Sequence, residues 1–232
     1  MQASDIRELS EAVEDPSFDI SVGKEDDIIR RVSGRVEFEI PKPSRAGLGG
    51  LDTVLWWLIV AAGRAPFVPL WDQQGWHRWV VNVAMPLAVA LGCLGVAAPN
   101  PFAFEGRPGG FDPDHPGIAG VTRQPLLWAL ALWAGAHLLA NGDLAHVIVF
   151  APFAGLAIIG MPVVESRRRR AMGAAAWHRQ TARTALVPGA ALLAGRWSPG
   201  GGWPLGRLAL AVVIWAALWH LHLPLIGVWP AP

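Results

Sequence analysis

The sequence predicts an all-α fold, a polytopic transmembrane helical bundle of about five spans that follows a short polar N-terminal segment. The 232 residues are 53% hydrophobic and only 16% charged, whereas soluble domains carry about 25% charged residues. Residues 79–98, 125–142, 144–164 and 208–232 contain no charged side chain. Each stretch approaches the roughly 20 apolar residues that cross ~30 Å of hydrocarbon as a helix. All 13 tryptophans follow residue 50.

The N-terminal segment, residues 1–50, differs in composition from residues 51–232, which we predict to be the transmembrane domain. It holds 11 acidic and 7 basic residues, including both lysines of the chain. Ser4 is a suitable cap for a short helix over residues 5–13, and residues 35–40 alternate like a strand. The prolines and glycines of residues 41–50 then interrupt regular structure. We expect this charged segment to be partly disordered.

The first predicted span covers residues 53–70 and is interrupted by Arg64 and Pro66. The second, residues 79–98, begins beside Trp76 and Trp79, as in an interfacial aromatic belt. Pro86 lies within this span. A proline is tolerated in a transmembrane helix where neighbouring groups hydrogen-bond to the backbone carbonyl that it leaves without a partner. Residues 99–123 are rich in Pro, Gly and Asp and predict a loop.

Residues 125–141 and 144–164 are the third and fourth predicted spans, and Asn141, Gly142 and Asp143 lie where they meet. Two alternatives are open there. Asn-Gly turns the chain at the membrane surface and Asp143 caps the next helix, or one long bent helix continues through the three residues. We favour the hairpin because each flank is nearly long enough to span a bilayer and the two together exceed one crossing.

The fifth predicted span, residues 208–228, follows a polar loop at residues 171–206. Four arginines, residues 167–170, end the fourth apolar run, and an excess of basic residues marks the cytoplasmic side. With hairpin connections the N-terminus is then cytoplasmic, and the opposite side receives only Arg64 and Arg78. A basic cluster at the end of a span is typical of a membrane anchor, so we expect the lipid bilayer as a partner and no nucleic acid.

His137 has the strongest claim to chemistry, because an unpaired ionisable group in such an apolar stretch costs roughly a few kcal/mol. It either hydrogen-bonds across helices, the commoner use, or ligates a metal such as haem iron through one ring nitrogen. His146 would face about the opposite side of a straight helix. His220 and His222 point to different sides of the last span, which disfavours a metal clamp and predicts an interfacial position. The other histidines are expected in loops or at the interface: His77, His115 and His178.

Three stretches of the chain resemble the core signature of the NnrU family of membrane proteins. They are residues 65–71 (APFVPLW), residues 120–128 (GVTRQPLLW) and residues 131–143 (ALWAGAHLLANGD). The arginine cluster after Glu165 fits the same pattern. The resemblance covers about residues 53–230.

The resemblance implies a multi-span protein of the bacterial inner membrane that is associated with nitrite and nitric oxide reduction and is accessory rather than catalytic. The family is also similar to 15-cis-ζ-carotene isomerase, a haem b protein. By that resemblance His137 is a candidate haem ligand, and a haem-dependent cis–trans isomerase of carotenoid-like polyenes is a second hypothesis. A third is a structural membrane subunit whose intramembrane polar groups only join helices.

The chain departs from the family pattern in two places. The family usually starts with a membrane helix that bears another histidine, whereas residues 1–50 differ from it in charge and pattern. The position after Arg123, commonly histidine, is Gln124 here. Both departures remove iron ligands that the resemblance would otherwise imply.

Overall fold

The structure is a computed structural model that describes residues 17–22, 29–35, 45–200 and 204–232, with side chains from residue 54 onward. The chain divides into two compact units, residues 1–54 and residues 55–232. In the first unit, β1 (Ser17–Val22) pairs antiparallel with β2 (Ile29–Arg35), and the register shifts between Ser21 and Val22.

Of the strand predicted at residues 35–40, the structure describes only Arg35, which is the last residue of β2. Residues 36–40 and the helix predicted at residues 5–13 lie outside the described residues.

The described residues of the second unit are helical wherever they form regular elements, so the predicted all-α class of the transmembrane domain is confirmed. Its long helices are joined by loops that contain three short ones. In chain order the helices are α1 (Arg45–Arg64, which begins in the first unit), α2 (Gly75–Gly95), α3 (Ile118–Val121), α4 (Pro125–Asn141), α5 (Leu144–Met172), α6 (Ala174–Thr181), α7 (Ala190–Leu193) and α8 (Leu205–Ile226).

Three of these helices, α2, α5 and α8, are long and apolar enough to cross a membrane. The prediction of about five spans is therefore higher than the number that meets this condition. The apolar part of α1 begins at Val54 and ends at Arg64, and α4 has 17 residues. At 1.5 Å per residue α4 is about 25 Å long, shorter than a ~30 Å hydrocarbon core.

The first predicted span also ends earlier than expected, at Arg64 instead of residue 70. Pro66 explains the difference, because a proline disfavours helical backbone in the residue before it and donates no hydrogen bond itself. By contrast, α5 continues beyond its predicted end at residue 164 and carries the four arginines on its last turns. Cationic side chains are favourable there because they face the negative end of the helix dipole.

The outer surfaces of the spanning helices are apolar. Large side chains of α5 and α8, such as Ile159 and Val213, are more than 60% exposed. An exposed apolar surface this extensive is what a bilayer covers.

The long helices pack side by side in the order α8, α2, α4, α5. Small side chains let the backbones approach, as is usual where helices associate in lipid. Ala134 of α4 and Ala154 of α5 are buried with Phe150 in one apolar cluster, to which α1 contributes Ala62. Where α2 ends against α4, a Cβ on Gly95 would lie 2.8 Å from Cγ of Pro125, so this crossing requires glycine.

The bundle has two chemically different ends. The turn end contains Gly142, between α4 and α5, and the arginine end contains residues 167–170, at the end of α5. A second apolar cluster at the arginine end joins Phe102 to Ala119 of α3 and Trp177 of α6. The loops there are thus packed onto the helices.

Candidate functional site

A cavity of about 320 Å³ lies at the turn end of the bundle, between α2, α4, α8 and the stretch that follows α8. Trp215, Trp219 and Trp229 supply much of its apolar wall. Polar groups from α2 and α4, including Arg78 and Asn141, also line it. A concave, mostly apolar space with a few polar groups is the usual form of a ligand or cofactor site.

His137 lines this cavity from the last turn of α4. Its Nδ1 lies 2.8 Å from the backbone oxygen of Trp133. Because a carbonyl oxygen only accepts, Nδ1 carries the hydrogen and donates it, and Nε2 keeps its lone pair. The ring also stacks on Phe150, with the centroids 5.2 Å apart. The imidazole is thus held in one tautomer and one plane, as a metal-binding histidine commonly is.

This hydrogen bond stays within α4, since Trp133 precedes His137 by one helical turn. Histidine that joins helices would instead donate to a neighbouring helix. The interpretation of His137 as a residue that hydrogen-bonds across helices therefore does not describe the contact that it makes.

His222, near the end of α8, lines the same cavity. Its Nδ1 lies 2.7 Å from the backbone oxygen of Val228, so Nδ1 donates and, in the neutral ring, Nε2 carries the lone pair. His220 is exposed, and the expectation that the two histidines point to different sides of α8 agrees with this. The interfacial position expected for both histidines stays a prediction, and His222 in addition lines the cavity with His137.

The local sequence does not predict that His137 and His222 line one cavity, since 85 positions separate them and only the packing of α8 and α4 against α2 brings them to one space. One sequence signal pointed to His222 nonetheless. His222, like His137, lies within a long uncharged apolar run, residues 208–232.

The residues after α8 are fastened over the cavity by α2. The Asn82 side-chain amide donates to the backbone oxygen of Pro230 at 2.9 Å and accepts from the Trp219 indole at 3.3 Å. The guanidinium of Arg78 donates to the backbone oxygen of Ala231 at 3.3 Å. The hydrogen bonds from Asn82 and Arg78 therefore hold this segment in place as one wall of the cavity.

Asn141, Gly142 and Asp143 form the turn between α4 and α5, and α4 does not continue into α5 as one bent helix. Gly142 has a φ of 68°, and Oδ1 of Asp143 accepts from the backbone N–H groups of Ala145 and His146. The Asn141 amide donates to the backbone oxygen of His137 at 2.7 Å. These contacts are those of a helix stop and an N-cap.

The connection between α1 and α2 is tied to this turn. The backbone N–H groups of Leu70 and Trp71 donate to the Gly142 oxygen at 2.8 and 3.3 Å, and the Trp71 indole donates to the Leu139 oxygen at 3.0 Å. The end of α4 that carries His137 is thereby held from a second side.

Gln124 lies at the arginine end and is 1% exposed. Its amide nitrogen donates to the backbone oxygen of Phe102 at 2.9 Å, and its amide oxygen accepts from the Phe104 N–H at 3.1 Å. Thirteen residues of helix separate position 124 from His137, which is about 20 Å along the axis. A histidine at position 124 could not have shared an iron with His137, so Gln124 removes no ligand from this cavity.

Arg123 and Glu165 form an ion pair beside Gln124. The pair is bidentate, with Nε donating to Oε1 and Nη2 donating to Oε2 at 3.0 Å. Both side chains are mostly buried, at 14% and 16% exposed. Arg123 also donates to the Thr184 hydroxyl at 3.2 Å and lies 5.7 Å from the Trp177 ring centroid. The pair ties the start of α4 to α5 and to the loop after α6.

The remaining histidines do not line the cavity. His77 lies in the first turn of α2 rather than in a loop and is buried, and its Nδ1 accepts from the Gln74 N–H at 3.2 Å. His146 bonds to Asp143 at 2.6 Å, and His178 is exposed. Within the described residues, no group of three or more His, Cys, Asp or Glu side chains is placed to hold a metal ion.

A second cavity, of about 410 Å³, lies at the arginine end and includes Phe111, Trp197 and Arg207. Asp112 and His115 also line it, with His115 Nδ1 2.8 Å from Asp112 Oδ2. This hydrogen bond is the main reason why the pKa of Asp112 is lower than usual. Both groups are largely exposed, whereas His137 and His222 of the first cavity are partly buried.

Helices long and apolar enough to cross a membrane identify an integral membrane protein, and two oriented imidazoles line one cavity at the turn end of its bundle. The NnrU protein family model matches residues 53–230. The chain belongs to this family, which confirms the resemblance seen in the sequence. No match was found among curated proteins, and none among solved structures.

Proposed function

We propose that this chain is an NnrU-type protein of the bacterial inner membrane that binds haem b through His137 and has an accessory, non-catalytic role in nitrite and nitric oxide metabolism. The observation that carries the haem proposal is the tautomer of His137. Its Nδ1–H is held by the Trp133 oxygen at 2.8 Å, and its Nε2 is left as a lone-pair donor on a residue that lines a cavity. Neutral imidazole in this state is the usual protein ligand of haem iron.

The donors around the cavity fit a haem group. His137 would hold the iron, the tryptophans would contact the apolar ring, and Arg78 would pair with an acidic propionate. Haem, when bound, supplies an iron centre whose potential and ligand access are tuned by its axial ligands and by the polarity of its surroundings. The association with nitrogen-oxide metabolism is supported by the family resemblance alone.

The proposed orientation has the arginine end in the cytoplasm, because four consecutive arginines end α5 there. Since α1 ends and α2 begins at the turn end, α1 then enters the membrane from the cytoplasm. The cavity with His137 faces the opposite side of the membrane.

Replacing His137 by alanine is expected to abolish haem binding. The protein, purified in detergent from a host with ample haem, should show a Soret absorption band that His137→Ala lacks. His178→Ala, which alters an exposed histidine at the other end of the bundle, is the matched control and should keep the band. A wild-type protein without a Soret band, or a His137→Ala protein that retains it and is equally helical by circular dichroism, would overturn the proposal.

A second candidate function is cis–trans isomerisation of a carotenoid-like polyene. It is favoured by the juxtaposition of an imidazole with an apolar, tryptophan-lined wall, which suits an apolar chain. In a host that accumulates poly-cis carotenes, the wild-type chain would then raise the proportion of the isomerised ζ-carotene, and His137→Ala would not. An unchanged isomer ratio with well-expressed wild-type protein removes this candidate and leaves haem binding standing.

A further inference from the structure

We propose that residues 183–197, between α6 and α8, form an interfacial segment that inserts apolar side chains into the leaflet at the arginine end and binds the phosphate of an anionic phospholipid with Arg183 and Arg196. The segment lies outside the three helices that are long and apolar enough to span a membrane. It is at the opposite end of the bundle from His137, so its lipid binding does not depend on haem.

The interfacial segment is bonded to the start of α4. The Trp128 indole donates to the backbone oxygen of Leu186 at 2.9 Å. The backbone N–H of Arg123 donates to the oxygen of Ala185 at 2.8 Å. Trp128 precedes Gly142 by 14 residues, which is about 20 Å along the helix axis. Since the hydrocarbon layer is ~30 Å thick, a turn at one membrane surface places this part of the segment at the depth of the other leaflet.

The segment has a packed side and an exposed apolar side. Ala185 and Ala191 are buried. Val187, Leu192 and Leu193 are 57%, 45% and 89% exposed. No other large apolar side chain in the described part of the chain is as exposed as Leu193. Acyl chains cover exposed apolar side chains at this depth, which is how an interfacial element binds a membrane.

The backbone of the segment is bonded within the protein, as an environment with little water requires. The N–H groups of Arg196 and Trp197 donate to the oxygen of Ala191 at 2.9 and 3.2 Å. Nη1 of Arg196 donates to the oxygens of Ala182 and Thr184 at 3.0 and 2.9 Å. A loop in water could leave these carbonyl groups to the solvent, so the internal bonds suit a segment that meets lipid.

The charges around the segment favour an anionic lipid. Residues 165–207 hold eight arginines and one carboxylate, that of Glu165, which already pairs with Arg123. By contrast, residues 64–78 and 141–146 at the turn end hold two arginines and two aspartates. A cluster of arginines beside a membrane attracts anionic headgroups.

Arg183 and Arg196 flank the exposed apolar side chains in the sequence, and both are exposed. Within the described residues, the hydrogen bonds that Arg196 donates from its guanidinium use Nη1. The other edge, Nε and Nη2, presents two parallel N–H groups of the kind that bind a phosphate. Arg183 lies 3.5 Å from Asp114 in an exposed ion pair, which is weak. A phospholipid matches the whole segment, because its phosphate meets the arginines and its acyl chains meet the leucines.

The first test measures the depth of position 193. The full chain with Leu193→Cys and Cys93→Ala is labelled with bimane and placed in nanodiscs of phosphatidylcholine and phosphatidylglycerol. Brominated lipid should quench the label, and iodide in the water should not. Arg170→Cys is the matched control and should show the reverse, because position 170 lies about 39 Å along α5 from Leu144, beyond a ~30 Å hydrocarbon layer. Quenching of the label at position 193 by iodide, or protection from both quenchers as a protein partner would give, overturns the insertion.

The second test measures the class of lipid that binds, by the melting temperature of the detergent-purified protein in circular dichroism. Phosphatidylglycerol should raise the melting temperature, whereas equal amounts of phosphatidylcholine or inorganic phosphate should not. Arg183→Gln should require about fivefold more phosphatidylglycerol for the same rise. Arg196→Lys should also require more, because lysine keeps the charge but not the planar fork.

Arg170→Gln is the matched control for this test, since it removes the same charge from an exposed position at the same end, and it should respond as the wild type does. An equal loss in Arg170→Gln would mean that lipid is attracted to the whole end and not to this segment. Equal rises with phosphatidylcholine or with phosphate, or a wild-type response in both Arg183→Gln and Arg196→Lys, would likewise overturn the assignment.

Discussion

Replacing Glu165 by alanine is expected to lower the free energy of unfolding by about 3 kcal/mol, the lower end of the range for breaking a buried ion pair. The reason is that Arg123 would be left mostly buried without its bidentate partner. The 14% exposure of Arg123 and its bond to Thr184 place the expected loss at the lower end of that range. Arg123 immediately precedes Gln124 and α4, so the start of that helix should loosen with it.

The measurement is unfolding of the detergent-solubilised protein by titration with sodium dodecyl sulfate, followed by circular dichroism. Arg167→Ala, an exposed arginine two positions further along α5, should change the unfolding free energy by less than about 0.5 kcal/mol. The double variant Arg123→Ala/Glu165→Ala should be less destabilised than the sum of the two single variants, because the second change removes the orphaned charge. Equal losses in Glu165→Ala and Arg167→Ala would show that the pair contributes nothing.

Replacing Gly142 by alanine is expected to be the other strongly destabilising change, by about 2–4 kcal/mol from two separate costs. Its φ of 68° is a left-handed conformation that is unfavourable for a residue with a Cβ. That Cβ would also lie 2.9 Å from the backbone oxygen of Trp71 and 3.1 Å from its indole nitrogen. Because Trp71 also bonds to the last turn of α4, the turn cannot move without disturbing the contact that supports His137.

The matched control is Gly155→Ala in the middle of α5, where a Cβ would meet no atom within 4 Å. It should be neutral or stabilise the protein by up to about 1 kcal/mol. Gly142→Asn separates the two costs, because asparagine tolerates the left-handed conformation but still adds a Cβ. If Gly142→Asn is as stable as the wild type, the close approach to Trp71 is not a constraint. A wild-type melting point for Gly142→Ala would contradict both costs.

Much of the architecture could be predicted from the sequence because its causes are local. An uncharged run of about 20 residues has a low free energy only in a membrane or a large core, which predicted the helices that became α2, α5 and α8. Pro66 and Asn141-Gly142-Asp143 act on their own backbone and on that of the next residues. The turn between α4 and α5 was therefore favoured over one long helix on local grounds.

The parts that could not be predicted depend on contacts between distant segments. The backbone N–H groups of Leu70 and Trp71 bond to Gly142, which is distant along the chain, and no local pattern specifies that contact. The family pattern predicts a lost ligand at Gln124, whereas the structure shows a buried amide that bonds to the backbone of Phe102 and Phe104. No feature of the local sequence around Gln124 specifies those partners, since they come from a loop about 20 positions away.

The sequence by itself determined that this is a multi-helix membrane protein of the NnrU family and that His137 is its most informative residue. Apolar runs, charges and a family signature are properties of contiguous residues. Only the tertiary structure decided what His137 can do. It showed that the ring is anchored within its own helix, that it lines a tryptophan-walled cavity, and that His222 lines the same space. A cavity lined by side chains of two helices forms only when those helices pack together. The packing of the helices therefore decides which side chains share a cavity, and their separation in the sequence does not.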